Sequence, residues 1–244
     1  MPCFYSPELK ETDSKLIISG DEFHHIINVR RKSYNDEIYL TNGSGLMMKA
    51  TITTISNKEL TASIISKKVE KISEPKIAVA FSLLKNKHDF LIIEKLTELG
   101  VKEFFPIITE RTIRKPSQNI VKKFEKIAIS AIKQCDNAFL PNVHKVTNLS
   151  ESIDLVKEKG YQPLIGLETG NYKNISEILE KIKKTVCLFI GPEGGFSKKE
   201  IENFQKDSIP FFSLGNHILR AETAAITATS QLLGLYLAKD PSYY

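Results

Sequence analysis

Residues 185–200 read TVCLFIGPEGGFSKKE and bring together three features that a ligand site needs. The apolar run 186–190 has the character of a fully buried strand. Gly191, Pro192, Glu193, Gly194 and Gly195 follow at once, and Ser197 and Glu200 then have the spacing of a capping box that opens a helix. Strand, glycine turn and helix start in direct succession are the local plan of a small-molecule site at the carboxyl end of a sheet strand. Glycines let a ligand approach backbone N–H and C=O groups, and such groups suffice to read a planar heterocycle. The segment LGNHILRAETAA (214–225) repeats the plan and adds Arg220, with Glu222 and Thr223 in the first helical turn. A third strand end, IGLETG (165–170), has the same character. One such turn alone is most often a plain connection, but three in the last 80 or so residues point to a shared site. The spacing G-P-E-G-G fits neither the dinucleotide fingerprint nor the phosphate loop, which argues against a nucleoside triphosphatase.

These turns need a sheet to carry them, and the pattern supplies one. Beyond residue 75 buried strands at 76–84, 104–109 and within 161–168, 185–191 and 209–215 alternate with helices at 88–100, 120–134, 175–182, 197–205 and 221–238. The first helix is predicted to bury Phe90, Ile93, Leu96 and Thr97 and to end on Gly100. This alternation predicts an α/β fold with a mostly parallel sheet covered on both faces. Residues 1–70 read differently: strands at 37–41, 46–55 and 60–65 are separated by Asn42-Gly43-Ser44-Gly45 and Ser56-Asn57-Lys58, the pattern of a small β domain, expected to be a barrel. Ser73-Glu74-Pro75 is the expected hinge, giving domains 1–72 and 73–244.

With 244 residues, 41% apolar and 26% charged, the chain has the composition of a soluble globular protein and not of a disordered one. No apolar run approaches the roughly 18 residues that span a bilayer, and the opening MPCFYSPELK lacks an export pattern, so the cytoplasm is expected. Cys3, Cys135 and Cys187 are far apart and the five histidines show no paired ligand spacing, so no metal is expected. Net charge is +5, and residues 1–74 balance ten cations against ten carboxylates, which places the whole excess in the larger part. There RTIRKPSQNIVKKFEK (111–126) holds six cations against one carboxylate, the composition of a surface for a polyanion.

LFIGPEGGFSKKE and LGNHILRAETAA, preceded by EKLTELGV and TER, resemble the small-subunit (16S) ribosomal RNA uracil-N(3) methyltransferases of the SPOUT group. HHIINVRR near the N-terminus is similar to that family's H-x-x-x-V-L-R segment, so the resemblance covers essentially the whole chain. It implies a PUA-like β-barrel followed by a SPOUT domain tied in a deep trefoil knot, S-adenosylmethionine held in the knot, and a homodimer whose chains jointly form each site. Carried over, the cofactor residues are Leu167, Glu168, Thr169, Gly170, Ile190, Gly191, Pro192, Gly194, Gly195, Leu214, Gly215, Ile218, Leu219 and Thr223. The catalytic candidates are Arg220, Glu193 and Glu222, and the RNA-binding candidates are His24, Arg30, Arg31, Arg111, Arg114 and Lys115. One departure is Lys133-Gln134-Cys135-Asp136-Asn137, where relatives commonly read E-Q-x-x-R; if that arginine contacts RNA or the partner subunit, a nearby cation such as Lys133 substitutes for it or the contact is lost.

The chemistry implied is an in-line methyl transfer, in which holding donor and acceptor aligned supplies up to about 7–11 kcal/mol. The acceptor N(3)–H must lose its proton as it attacks, so an arginine aimed at a uracil carbonyl would stabilise the developing anion, the role expected of Arg220. Glu193, Glu222 or water would take the proton, and His217 is read as a packing or hydrogen-bonding residue. Because N(3) lies on the pairing edge, the target base must be unpaired or flipped out. Two alternatives remain: a methyltransferase acting on tRNA or another rRNA position, which keeps every cofactor feature, and a non-catalytic RNA-binding assembly protein, which would use the same basic surface but would not need the three glycine turns.

Overall fold

The computed structural model describes residues 3–72, 74–168 and 172–239. The chain divides into two compact units, Met1–Ile72 with Ile129–Leu140, and Ser73–Ala128 with Pro141–Tyr244.

The first unit contains β1 (Phe4–Tyr5), β2 (Lys15–Ser19), α1 (Gly20–His24) continued by a π turn at His25–Val29, β3 (Glu37–Thr41), β4 (Leu46–Ile55) and β5 (Glu59–Val69). They form a five-stranded sheet in the order β1-β3-β4-β5-β2. Along β4 the burial alternates, with Leu46, Met48, Ala50 and Ile52 inward, and β3 sets Ile38 and Leu40 on the same side. Two register shifts between β4 and β5 bend the sheet, so the expected barrel is built as a curled sheet closed over Ile26 and Leu9.

The domain boundary drawn at residue 72 leaves out a piece that the structure adds. Cys3 N–H donates to Lys133 O at 3.0 Å, Gly45 N–H to Ala138 O at 2.9 Å and Leu140 N–H to Gly43 O at 2.8 Å, so residues 129–140 pair with this unit. Backbone pairing between residues so far apart in the chain leaves no mark in a hydrophobic pattern. Lys133, the cation expected to substitute for the missing arginine on RNA or the partner subunit, is largely buried and ion-paired to Glu22 at 2.6 Å, which neutralises it within the fold.

The second unit comprises β6 (Lys76–Ser82), α2 (His88–Glu98), β7 (Glu103–Ile108), α3 (Ile120–Cys135, its residues to Ala128), β8 (Asn142–Val143), β9 (Thr147–Asn148), α4 (Leu149–Glu158), β10 (Gln162–Gly166), α5 (Ile175–Ile178), β11 (Thr185–Ile190), α6 (Lys198–Lys206), β12 (Phe211–Phe212) and α7 (Ala221–Lys239). Its sheet runs β12-β10-β11-β6-β7-β8, with β9 also on β7, and every pairing is parallel. The central strands β6 and β11 are buried on both sides, as their unbroken apolar runs require. On one face Ala78, Ala80, Phe105 and Phe189 meet Ile153 and Val156 of α4 and Phe204 of α6. On the other, Phe81 packs edge-on against Phe104 and against Phe124 of α3.

Three local readings change. The strand expected at 209–215 is only Phe211–Phe212, and the helix at 175–182 is one α turn followed by a 3-10 turn at Leu179–Lys181. In α2 the fully buried residues are Asp89, Ile92, Ile93, Leu96 and Thr97, while Phe90 is half-buried. Asp89 goes inside because a cation meets it there, which apolar periodicity cannot show.

At the opposite end of the sheet Glu103 accepts a hydrogen bond from His144 Nε2 at 2.6 Å and faces Lys159 at 3.5 Å, while the His144 ring stacks on Phe105. Burial alone would raise the Glu103 carboxyl, but the bond from His144 and the charge of Lys159 outweigh it and hold the group below its ordinary value. A lowered folded-state value means stability that is complete above about pH 4.3, the ordinary glutamate value, and is lost as pH falls through the lower one. In urea melts the stability gap between the wild type and Glu103→Gln is therefore expected to shrink as pH is lowered from about 6 to about 3. A gap independent of pH would contradict this assignment.

Candidate functional site

Three adjacent parallel strands end on one edge. In the order β12-β10-β11, Ile165 lies opposite both Phe211 and Phe189, so the segments that follow Phe212, Gly166 and Ile190 emerge side by side. Together they wall a cavity of about 250 Å³.

Leu167 and Glu168 line it from the first turn, Ile190, Gly191, Pro192, Glu193 and Gly195 from the second, and Leu214, Ile218, Leu219 and Arg220 from the third. The glycines are there for space. Gly195 has φ +65°, and a Cβ on it would lie 2.6 Å from Glu168 Oε1, so the first and second turns close against each other at that point. A Cβ on Gly166 would meet the Phe212 ring at 3.0 Å and Ile190 at 3.3 Å, so the floor admits no side chain. After the second turn the capping box is complete: Ser197 Oγ accepts from Glu200 N–H and Glu200 Oε2 from Ser197 N–H at 2.7 Å.

The polar groups are held from outside the cavity. Glu193 Oε1 accepts the backbone N–H of Lys85 at 2.9 Å. Arg111, expected on RNA phosphate, donates to Gly194 O at 2.7 Å, and the neighbouring Glu110 N–H donates to Glu200 Oε1 at 2.9 Å. The segment Glu110-Arg111 is thus pinned to the glycine turn and to the helix that follows it. Arg220 precedes α7, and its carbonyl accepts the N–H of Ala224 at 2.8 Å, the first bond of that helix.

Several predicted residues lie elsewhere. Glu222 does not line the cavity: it is buried in the first turn of α7 and pairs with His88 Nδ1 at 3.0 Å, at the start of α2. Gly194, Gly215 and Thr223 are likewise outside the lining, and Thr169 and Gly170 lie outside the described residues. Arg114, also expected on RNA, points inward, with NH1 on Asp89 Oδ1 at 2.6 Å and on Leu84 O at 3.1 Å and its guanidinium over the Phe90 ring. Burial pushes the Asp89 carboxyl up and Arg114 opposes it. Lys115 is exposed, as are His24, Arg30 and Arg31 in the first unit, where His24 Nδ1 bonds Asn28 at 2.9 Å.

The sequence reading missed Gly166, Phe196, Ile201, Ala221 and Ala224 as lining residues, while His217 lies within the expected cofactor loop 214–219. Gly166 was within reach, since it ends the strand of IGLETG; Phe196 and Ile201 arrive through packing that no spacing reveals. His217, read as a packing or hydrogen-bonding residue, is exposed on the wall. Among the described residues no three His, Cys, Asp or Glu side chains converge as a metal site, and no helix is long and apolar enough to cross a membrane.

This arrangement of strands and turns has known counterparts. The fold is that of the SpoU methyltransferase AviRb from Streptomyces viridochromogenes, with a TM-score of 0.51 over 93% of this chain and 91% of that one, at 12% identity. The chain belongs to the RNA methyltransferase family, whose methyltransferase domain matches residues 72–233 and whose PUA domain matches residues 18–65. It is 30% identical over 237 residues to the ribosomal RNA small subunit methyltransferase E of Aquifex aeolicus, covering 96% of this chain and 99% of the relative. The crystal structure of the enzyme of that name from Neisseria gonorrhoeae, bound to S-adenosylmethionine, superposes with a TM-score of 0.85 at 26% identity, covering 96% of this chain and 98% of that one.

Proposed function

We propose that this protein methylates N3 of a uridine in small-subunit ribosomal RNA, with S-adenosylmethionine bound among the three turns. The observation that carries the reading is the cavity itself: three strand-end turns, brought close together because Gly166 and Gly195 carry no side chain, wall it together with Arg220 from the start of α7. The relative from Aquifex aeolicus is named as a methyltransferase of small-subunit ribosomal RNA, and the Neisseria gonorrhoeae structure holds S-adenosylmethionine.

The residues fit the cofactor. Gly191 and Gly195 bring backbone to the cavity wall, Ile190, Leu214 and Leu219 offer apolar contact to a planar base, and Glu168 and Glu193 supply negative charge for a cationic group. When bound, S-adenosylmethionine supplies an electrophilic methyl group on a sulfonium. Arg220 then stabilises the negative charge that develops on the uracil as N3 gives up its proton. Glu193, whose Oε1 accepts the Lys85 N–H at the cavity wall, takes that proton directly or through water in this reading. Glu222 acts at a distance, joining α2 to α7 through His88. The trefoil knot and the homodimer belong to this reading; in its support Ile218 on the cavity wall is 71% exposed, and α7 carries apolar residues on every face. The reaction takes place in the cytoplasm, where the ribosome is assembled.

Arg111 is assigned to the cofactor turn and not to RNA. Equilibrium dialysis of S-adenosylmethionine against the wild type and Arg111→Met tests both points. The wild type is expected to bind, and the variant to bind about three- to tenfold more weakly through loss of one charged hydrogen bond. A wild type that does not bind contradicts the function; a variant that binds like the wild type contradicts the role of Arg111.

A further inference from the structure

The first unit presents one aromatic ring to solvent on a support that is firmly built. Tyr34 is 70% exposed. It sits at the tip of a turn closed by Ser33 N–H and Ser33 Oγ donating to Asp36 Oδ2 at 2.8 and 3.1 Å, and by Asp36 N–H donating to Ser33 O at 3.1 Å. Asn35 N–H donates to Ile52 O and Ile52 N–H to Asp36 O, which ties the turn to a fully buried residue of β4. The ring is therefore held out by a rigid base.

The residues before it have a similar character. Val29 is 58% exposed, and Arg30 and Arg31 are exposed with no ion-pair partner among the described residues. Val29 ends the π turn and the two arginines follow it; the turn closes with Arg30 N–H on His25 O at 2.9 Å and Lys32 N–H on Ile26 O at 3.1 Å. Arg31 has φ +55°, the helix-ending conformation usually left to glycine. A π turn and a left-handed non-glycine residue both occur disproportionately at functional sites, because they cost stability that a plainer sequence would keep. The chain spends that stability on a cation at the surface.

Cations without partners fit a polyanion, and an exposed ring beside them fits a base whose face is free. A base inside a duplex offers no such face, so the partner is single-stranded. We propose that Tyr34 is a stacking platform for an unpaired base of the RNA substrate, with Arg30 and Arg31 on the adjoining phosphates. This deepens the reading above and rests on RNA being the substrate.

The test is fluorescence anisotropy of a labelled single-stranded oligouridine with the full chain, alongside thermal melting. Tyr34→Ala is expected to melt like the wild type and to bind about tenfold more weakly, Tyr34→Phe to bind within about twofold of wild type, since stacking needs the ring and not the hydroxyl. Arg31→Gly is expected to bind more weakly yet melt higher, because glycine relieves the backbone. Wild-type binding by Tyr34→Ala overturns the proposal, and so does equal loss in Tyr34→Phe and Tyr34→Ala. If Tyr34→Ala binds the oligonucleotide normally but methylates ribosomal subunits poorly, the ring contacts a protein of the subunit and the proposal also fails. Ring-dependent RNA binding by a wild type that takes no S-adenosylmethionine would leave this surface standing and remove the methyltransferase reading.

Discussion

Arg220→Met is expected to lower kcat for methyl transfer by about 10²- to 10³-fold, the loss seen when one preorganised charge-stabilising donor is taken from a dry site. The reason is local. Arg220 is the one arginine or lysine among the described cavity-lining residues, and Glu168 and Glu193 are the carboxylates among them. A charge that develops only in the transition state is met by the arginine only then, so kcat should fall while the cofactor's dissociation constant stays within about threefold. Steady-state kinetics together with cofactor dialysis separate the two. A variant that loses cofactor affinity in proportion to rate would make Arg220 a binding residue, and one that keeps its rate would remove it from the chemistry. Arg220→Lys should recover part of the rate, because it keeps the charge without the planar fork.

Asp89→Ala should destabilise the fold by about 3–5 kcal/mol, the cost of leaving a buried charge without its partner. Asp89 has no exposed side-chain surface, and Arg114 spans from it to the Leu84 carbonyl and the Phe90 ring. Arg114→Met should be destabilising for the same reason. Urea denaturation measures both. The RNA role expected of Arg114 from sequence makes the opposite forecast, unchanged stability with weakened RNA binding, so a stable Arg114→Met would restore it. The pair also explains the site's shape: Arg114 and Arg111 fasten one loop to the start of α2 and to the glycine turn.

What could be read from the sequence follows the range over which each signal acts. The strand, turn and capping box of residues 185–200 are local, and the structure has them as read, with β11 at Thr185–Ile190 and α6 at Lys198–Lys206. The three turns could be picked out singly because each follows a buried strand. That they meet depends on parallel pairing of β12, β10 and β11, which alternation of strands and helices implies only in general terms. Charges were the hardest to place. Arg111, Arg114 and Lys133 look alike in a count of cations, yet one holds a backbone carbonyl, one a buried aspartate and one Glu22. Their partners lie 83, 25 and 111 residues away in the chain, and no local pattern reports such a distance. Glu222 shows the same limit: its place in a helix's first turn was legible, its pairing with His88 was not.

The most direct measurement is transfer of a labelled methyl group from S-adenosylmethionine to small ribosomal subunits that lack the modification, with free rRNA and tRNA in parallel and nucleoside analysis of the product. Label recovered as 3-methyluridine in small-subunit RNA is the expected result. Label in tRNA or in another nucleoside would contradict the substrate, and no label with any of the three RNAs would contradict the methyltransferase reading itself.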